Sequence, residues 1–452
     1  MLEPGRPQSS PRPDDRLRST RRRLLTPWLL PFPVVLVVVI VVVLIVVLAV
    51  SILVASSAGP RLKPSPYPTN ASCPVAAGSG PPPVQSLSPT NGYGGYGSAT
   101  VGGAGGIQIV VSNLNDSGPG SLRAALEARV PRIVVFSVAG TISVRDSLKI
   151  ENPYITVAGE TAPQPGIVLR NGPLKVLTHD VILRQLRLRP GDQVTAPADA
   201  DALTLTAVNT AVYNIVVDHV SMVWGPDIGG LAVLGSVRDV TVSNSIMGEG
   251  LYFSAHPEAI ASMGGHAYAA NLTQLDPKLG WPTCITFWQN LFTTSDHRMP
   301  RLQGAACVDV VDNVIYNWGI HAANGNPRSV NLVNNWYRSG PETTAHEFWT
   351  PQESIVDPVL FNGVVFEAGS IADGFSGSRG GSPAVYAATM RCGGLSVTPE
   401  PAESAYSAVL QGAGATLPVR DVVDQRIIAN VKNRQGTYFN GAGFPSPNPY
   451  WP

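Results

Sequence analysis

The sequence predicts an all-β fold, a parallel β-helix, behind an N-terminal transmembrane or signal segment. Three observations predict it. A short apolar-x-apolar-x-polar pattern recurs at near-constant spacing, polar residues of like kind stand at one phase of successive repeats, and little helical periodicity separates them. The 452 residues include 45 Gly and 41 Pro, with 44% hydrophobic and 14% charged residues. That is ample material for a core. It is too little charge for a coiled coil or a histone-like binder, since about 25% is usual.

Residues 1–33 carry seven Arg and three acids, a balance of +4, and the remainder of the chain balances at −4. The large part therefore has no global attraction for nucleic acid, and a polyanion would be held by local cations. Val34 to Ala55 is a 22-residue run of Val, Leu, Ile and Ala broken by Ser51, long enough as a helix to cross a hydrocarbon core of about 30 Å. Arg21, Arg22 and Arg23 precede it and the next basic residue is Arg61. A single-pass signal-anchor with a cytoplasmic N-terminus follows, leaving the bulk of the chain at the cell surface. Cleavage near Ala58, after Ser56 and Ser57, is the alternative and would give a secreted protein. Residues 56–104, rich in Gly, Pro and Ser, read as a stalk. Sequons at Asn70, Asn115 and Asn271 suit an exported chain.

The repeat occupies the centre. Its seven segments start at Ile155, Val181, Ile215, Val240, Ile285, Val308 and Val330, separated by 26, 34, 25, 45, 23 and 22 residues. The two long gaps read as turns carrying an inserted loop. Strands at this period stack as successive turns of a coil, whereas a β-sandwich would show hairpin spacing of about 8–12 residues. Asn290, Asn313 and Asn335 share one phase, where stacked amides can bond up a column.

Asp201 stands 14 residues before the Ile215 repeat and Asp227 stands 13 before the Val240 repeat. They therefore share an azimuth on neighbouring turns, about 4.8 Å apart. Asp199, in an extended segment, faces the same way. Converging carboxylates call for a cation, and an oxygen-only set favours calcium; a solvated acidic loop end is the other reading. Arg298 precedes Val308 by ten residues and so projects two turns beyond Asp227, about 10 Å away, with Arg301 close behind. A solvated surface Arg is the alternative for each. His219 is a candidate for proton transfer or substrate contact, but it shares a polar column with Gln185, Asn244, Gln289, Asp312 and Asn334, which gives it a structural reading. Glu258 and His266 lie in the long insertion 251–283, where spacing does not place them. There is no Cys-x-x-Cys pair and no His-Glu-x-x-His motif, so spacing does not point to a zinc enzyme. Cys284 and Cys307, each just before a repeat strand, stack within disulfide reach, leaving Cys73 and Cys392 as the other pair.

Taken in order, several fragments resemble the pectate lyases of the pectate/pectin lyase superfamily. They are Asn113 to Arg123, Pro153 to Gly159, Val181 to Arg184 with Arg187 and Arg189, and Asp218-His219 followed by Trp224 and Asp227. Asn290-Leu291-Phe292, Arg298-Met299-Pro300-Arg301 and Arg420 to Arg426 complete the set. The resemblance implies a right-handed parallel β-helix over 105–436, with a C-terminal extension inside it and a Pro-rich tail at 437–452. It also implies calcium-assisted β-elimination of de-esterified pectin. By position, Asp199, Asp201 and Asp227 match the calcium-binding acids and Arg298 the catalytic base. Arg301, Arg184 and His219 fall to substrate binding. Leu231 stands where the pattern has a further acid, and Gln303 where it has an Arg.

The reading is thus a monomeric polysaccharide lyase for polygalacturonate. A lyase for methylated pectin or another uronan is an alternative, as is an inactive β-helix serving as a surface glycan-binding or adhesion module.

Overall fold

The computed structural model describes residues 92–207, 210–273, 284–304, 307–351, 364–377, 390, 394–445 and 448–450. The basic tail, the 34–55 run, most of the stalk, Asn70, Cys73 and Cys392 lie outside the described residues. Among the described residues no helix is long and apolar enough to cross a membrane. The chain divides into two units, Met1–Ala76 and Ala77–Pro452, and the fold below is that of the second.

Short strands rich in Val, Ile and Leu turn alternate side chains inward, and each turn of the coil lays one strand on each of three sheets. Among the described residues the sheets hold ten, nine and eight strands, and every pairing between strands is parallel (Ile155–Val181 and Ile215–Val240 among them). The chain visits the ten-stranded sheet, then the nine-stranded, then the eight-stranded. The seven predicted segments are consecutive strands of the first sheet, with Ile155, Val181, Ile215, Val240, Ile285, Val308 and Val330 in register. Strands Ile107–Val111, Arg132–Phe136 and Val364–Ala368 extend that sheet at its two ends.

The interior is a stack of columns. Val157, Leu183, Val217, Val242, Phe287, Val310 and Leu332 succeed one another, all buried, and side chains of this size are each worth about 1.5–3 kcal/mol on burial. The polar column has a backbone cause. Gln185, His219, Asn244, Gln289, Asp312 and Asn334 all have φ between 47° and 59°, because the corner between first and second sheets needs a left-handed residue on each turn. Asn and Asp adopt that conformation more readily than bulkier side chains do. Inside the same corner runs the Asn ladder. Asn290 Oδ1 accepts from Ser245 N at 2.9 Å, Asn313 Oδ1 from Asn290 N at 2.8 Å, and Asn335 Oδ1 from Asn313 N at 3.0 Å. Cys284 and Cys307 are disulfide-bonded on adjacent strands, with Cα atoms 4.7 Å apart.

The helix Leu122–Glu127, N-capped by Ser121, packs Leu122, Ala125 and Leu126 into the first turns. The buried Arg132 guanidinium satisfies its last carbonyls, at Ala125 and Leu126. Two C-terminal helices, Ala402–Gly412 and Val422–Asn433, cover the outer face of the nine-stranded sheet. The second is clamped there by Arg189, which binds Asp421 at 2.6 Å and Asp424 at 2.8 Å.

The edges of the fold differ from the composition-based boundaries. Residues 92–104, assigned to the stalk, lie on the first sheet: Gly97 N donates to Thr241 Oγ1, and a Cβ at Gly97 would meet Ile215 O at 2.2 Å. Its missing side chain is what lets backbone touch backbone. The 437–445 segment is likewise bound, with Gly441 N on Phe253 O and Ala442 N on Asp192 Oδ1.

Candidate active site

The corner that leads from the nine-stranded into the eight-stranded sheet gathers the reactive groups, one turn above another. Asp201 stands two residues before the strand Leu203–Ala207 and Asp227 precedes Leu231–Gly235. His266 and Tyr268 precede Ala270–Thr273, Arg298 precedes Arg301–Gln303, and His321 precedes Ala323–Asn326. Those five strands are consecutive neighbours in register. Asp201 and Asp227 are therefore on adjacent turns and Arg298 is two turns beyond Asp227, as the spacing predicts.

Asp201 is buried. Its Oδ1 accepts from Ile228 N at 3.2 Å and its Oδ2 from Thr204 Oγ1 at 2.7 Å. Burial, then the Asp227 charge, raises its pKa well above the usual carboxylate range. Asp227 is pushed up to about 6, first by burial, against the pull of Arg298 and with the help of Glu258 and Asp199. Asp199 stands at the rim, its carboxylate 79% exposed and 4.0 Å from Lys175 Nζ. The donors nearest Asp227 include nitrogens that sequence spacing did not place there. Among the described residues, Asp227, His256 and His266 form a group whose ligand atoms all lie within 4.8 Å of one another. Both imidazoles are buried and stacked, with ring centroids 3.9 Å apart. Burial, His256 and Arg298 bring the His266 pKa down to about 4.

Arg298 is held in a left-handed backbone conformation, φ 62°, with its guanidinium 3.8 Å from the centroid of the Tyr268 ring. Its Nε is buried without a hydrogen-bond partner among the described residues. Burial lowers its pKa, although Tyr268, Asp227 and Glu258 oppose that shift. A guanidinium so placed is a partly desolvated cation resting on a π face, facing carboxylates two turns away.

The outward side chains of the eight-stranded sheet continue from this corner. Lys175, Thr204, Ala232, Asn271, Arg301 and Asn324 form one row in strand register. Arg301 thus lies beside the site, and burial together with Arg298 lowers its pKa.

The structure does not bring Arg184 and His219 here. Both belong to the corner between the first and second sheets. Arg184 binds Glu160 at 2.7 Å and Tyr93 Oη at 3.3 Å. His219 is a left-handed bend residue whose Nδ1 meets Asp218 Oδ2 at 2.7 Å. Neither therefore shares the corner of Asp227 and Arg298, and their assignment to substrate binding finds no support in that placement. Sequence reasoning also missed His256 and Tyr268 and left His266 unplaced. The repeat runs on the first sheet, and the insertion hides the strand Ala270–Thr273 of the third.

No family model matches the chain. The chain is 33% identical over 349 residues to a protein named probable pectate lyase C from Aspergillus fumigatus, covering 75% of this chain and 76% of that one. It is 33% identical over 356 residues to the probable pectate lyase C of Aspergillus flavus, over 75% of this chain and 76% of that one. Of solved structures, jun a 1, the major allergen from cedar pollen, superposes with a TM-score of 0.54 at 21% identity, over 72% of this chain and 93% of that one. That likeness carries the fold, a right-handed parallel β-helix.

Proposed function

The chain belongs to the pectate lyase family and is a polysaccharide lyase, and from that premise we propose that it cleaves de-esterified pectin by β-elimination with Arg298 as the base. The observation that carries the proposal is the Arg298 guanidinium, desolvated over Tyr268 and two turns from Asp227.

The C5 proton of a galacturonate lies α to a carboxylate and is only weakly acidic. Removing it and breaking the C4–O bond leaves an unsaturated sugar end. Arg is normally protonated at every working pH. Burial of Arg298 enlarges the neutral fraction that can accept the proton at a guanidine nitrogen, and an alkaline optimum follows. Arg301, with Lys175 along the same row, offers cations to the carboxylates of neighbouring sugars, offsetting the −4 balance of the chain beyond residue 33.

Calcium is the cation proposed, with Asp199, Asp201 and Asp227 as its oxygen donors. The donor chemistry supports it: each Asp201 oxygen accepts one hydrogen bond and keeps a lone pair, and burial first, then the charge of Asp227 on Asp201 and of Glu258 and Asp199 on Asp227, raises the two carboxylates, a cost that a cation relieves. When bound, the ion supplies charge neutralisation at the uronate carboxylate and at the enolate-like transition state.

A second reading, a glycan-binding module without turnover, is favoured by one observation: Leu231, standing where the family pattern has an acid, is wholly buried. The run 34–55 and the sequons support a cell-surface or secreted location, and the chain is taken as a monomer.

The test is absorbance of unsaturated uronate during incubation of the purified chain with polygalacturonate and calcium. Activity in the wild type, and a fall of about 100-fold or more in Arg298→Lys, the scale of a positioned base, is expected. An inactive wild type favours the binding module. An Arg298→Lys variant as active as an active wild type removes Arg298 from the role.

A further inference from the structure

Asp227 has a nitrogen side as well as an oxygen side. His266 Nδ1 lies 3.1 Å from the carbonyl oxygen of Pro226. A carbonyl has no proton to give, so Nδ1 carries the N–H and the lone pair of the neutral ring is on Nε2. That lone pair points at other acceptors, not at a donor. Glu258 Oε2 is 3.3 Å from it, and Asp227 lies within the same 4.8 Å group. The His266 side chain is 3% exposed, so what meets Nε2 is a proton shared with Glu258 or a bound cation rather than bulk water. His256 stacks on His266, and its Nε2 is 3.9 Å from Asp227 Oδ1.

We propose that Asp227, His256 and His266, with Glu258 at the rim, bind a divalent first-row transition ion of the zinc or cobalt class. A backbone carbonyl that fixes the tautomer of a ligating imidazole is the usual support of such sites. Imidazole with carboxylate suits zinc, cobalt and nickel, whereas calcium takes six to eight oxygens. Pro226 and Asp227 are adjacent, so one loop supplies both the ligand and the group that orients its partner. His256 is the donor that must adjust. Its Nδ1 accepts the Glu258 N–H at 3.1 Å, so ligation through Nε2 moves its proton to Nδ1 and releases that contact. Glu258, 74% exposed, completes the set with solvent. The spacing of ten residues between the two His explains why no short zinc motif marks the site.

The proposal concerns metal binding itself and is read without substrate. The purified full chain, stripped with EDTA, is titrated with Co2+ while its visible d–d absorption is followed, then challenged with Zn2+ and with Ca2+. One Co2+ per chain is expected, displaced by equimolar Zn2+ and retained against equimolar Ca2+. His266→Gln keeps a side-chain N–H for the Pro226 carbonyl while losing the imidazole lone pair, and should weaken Co2+ binding by about 100-fold, the upper range seen when a ligand's support is lost. Asp227→Asn, at the open side of the group, should do likewise and serves as the second variant should His266→Gln not fold. The proposal is overturned by absence of the Co2+ spectrum, by displacement of Co2+ with equimolar Ca2+, or by unchanged affinity in a folded His266→Gln or Asp227→Asn protein. A chain that binds Co2+ in this way but leaves polygalacturonate intact upholds the metal site and sinks only the lyase reading.

Discussion

Asn313 is the middle rung of the amide ladder, and replacing it with Ala tests how the coil satisfies its own backbone. Its Oδ1 accepts from Asn290 N at 2.8 Å and from Asn290 Nδ2 at 3.0 Å. Its two Nδ2 protons are shared among Phe287 O and Val311 O, each at 3.0 Å, and Asn335 Oδ1 at 3.1 Å. Truncation leaves the fully buried Asn290 N–H without an acceptor, which costs about 1–3 kcal/mol, and the remaining lost bonds add roughly 1 kcal/mol apiece where nothing replaces them. Asn290 Nδ2 keeps Val242 O at 2.8 Å, which limits the total to about 3–5 kcal/mol, a large effect for one side chain. With an unfolding entropy of about 2.1 cal/mol/K per residue, that lowers Tm by about 4–7 °C for a unit the size of this coil. Asn334→Ala is the comparison. It loses one bond, to Glu400 O at 2.6 Å, and a left-handed Asn, for about 1–2 kcal/mol. Thermal melting of both variants decides the matter. An Asn313→Ala shift no larger than that of Asn334→Ala would refute the ladder as a structural support.

Three further outcomes are expected. Asp312 is buried, its Oδ2 accepts from Trp288 Nε1 at 3.3 Å and Glu400 N at 3.0 Å, its Oδ1 has no partner among the described residues, and burial pushes its pKa up to about 7. Since the folded value exceeds the unfolded one of 3.8, its contribution is fully present below the unfolded value and is lost as pH rises through the folded one. The linked loss is at most about 4 kcal/mol, and Asp312→Asn, which tolerates the left-handed bend, should abolish it. Tm against pH for the two proteins should converge near pH 4 and diverge toward pH 8 with the variant the more stable; parallel curves would contradict this. The Cys284–Cys307 pair closes a sequence separation of 23, so the double Ser variant should lose about 3 kcal/mol by loop-closure entropy, measured by denaturant unfolding; an unchanged midpoint and slope would count against it. Arg189→Met removes the clamp on Asp421 and Asp424 and leaves the buried Asp424 with Ser221 Oγ but without its ion-pair partner, at a cost of about 3–5 kcal/mol. Faster hydrogen exchange confined to Val422–Asn433 and its contacts is expected, and protection equal to wild type would refute the clamp.

Much of the first sheet was legible because its strands carry two signals at once, the alternation of Val, Ile and Leu and a polar residue at the left-handed bend. The nine-stranded sheet has left-handed residues at its strand ends too, but of mixed kind, Asn171, Trp224, Glu249, Thr294 and Asn317. Strands such as Leu174–Val176 and Trp336–Arg338 are three residues long, too short to show a period, and their position follows from the coil rather than from their own sequence. Asp201, Asp227 and Arg298 could be counted onto one corner because they flank regular turns. His256 and His266 could not, since the insertion around them breaks the count and only packing against Pro226 and Asp227 fixes where they point. His219 carried two readings, and its place in the polar column is the one its geometry matches. It sits in a recognisable motif, but its φ of 53° and its bond to Asp218 place it in the bend. Of the three sequons, Asn271 stands within the eight-stranded sheet, in register with Ala232 and Arg301.

The central claim is elimination at a uronate, and the mass of the products tests it most directly. Polygalacturonate digested in H2(18)O by the purified chain with calcium should yield fragments whose new ends are a 4,5-unsaturated sugar and an ordinary reducing sugar. The summed mass of those fragments should equal that of the parent, with no water oxygen incorporated during cleavage. Fragments that together gain one water and carry the label at the cleaved bond would establish hydrolysis and contradict the account.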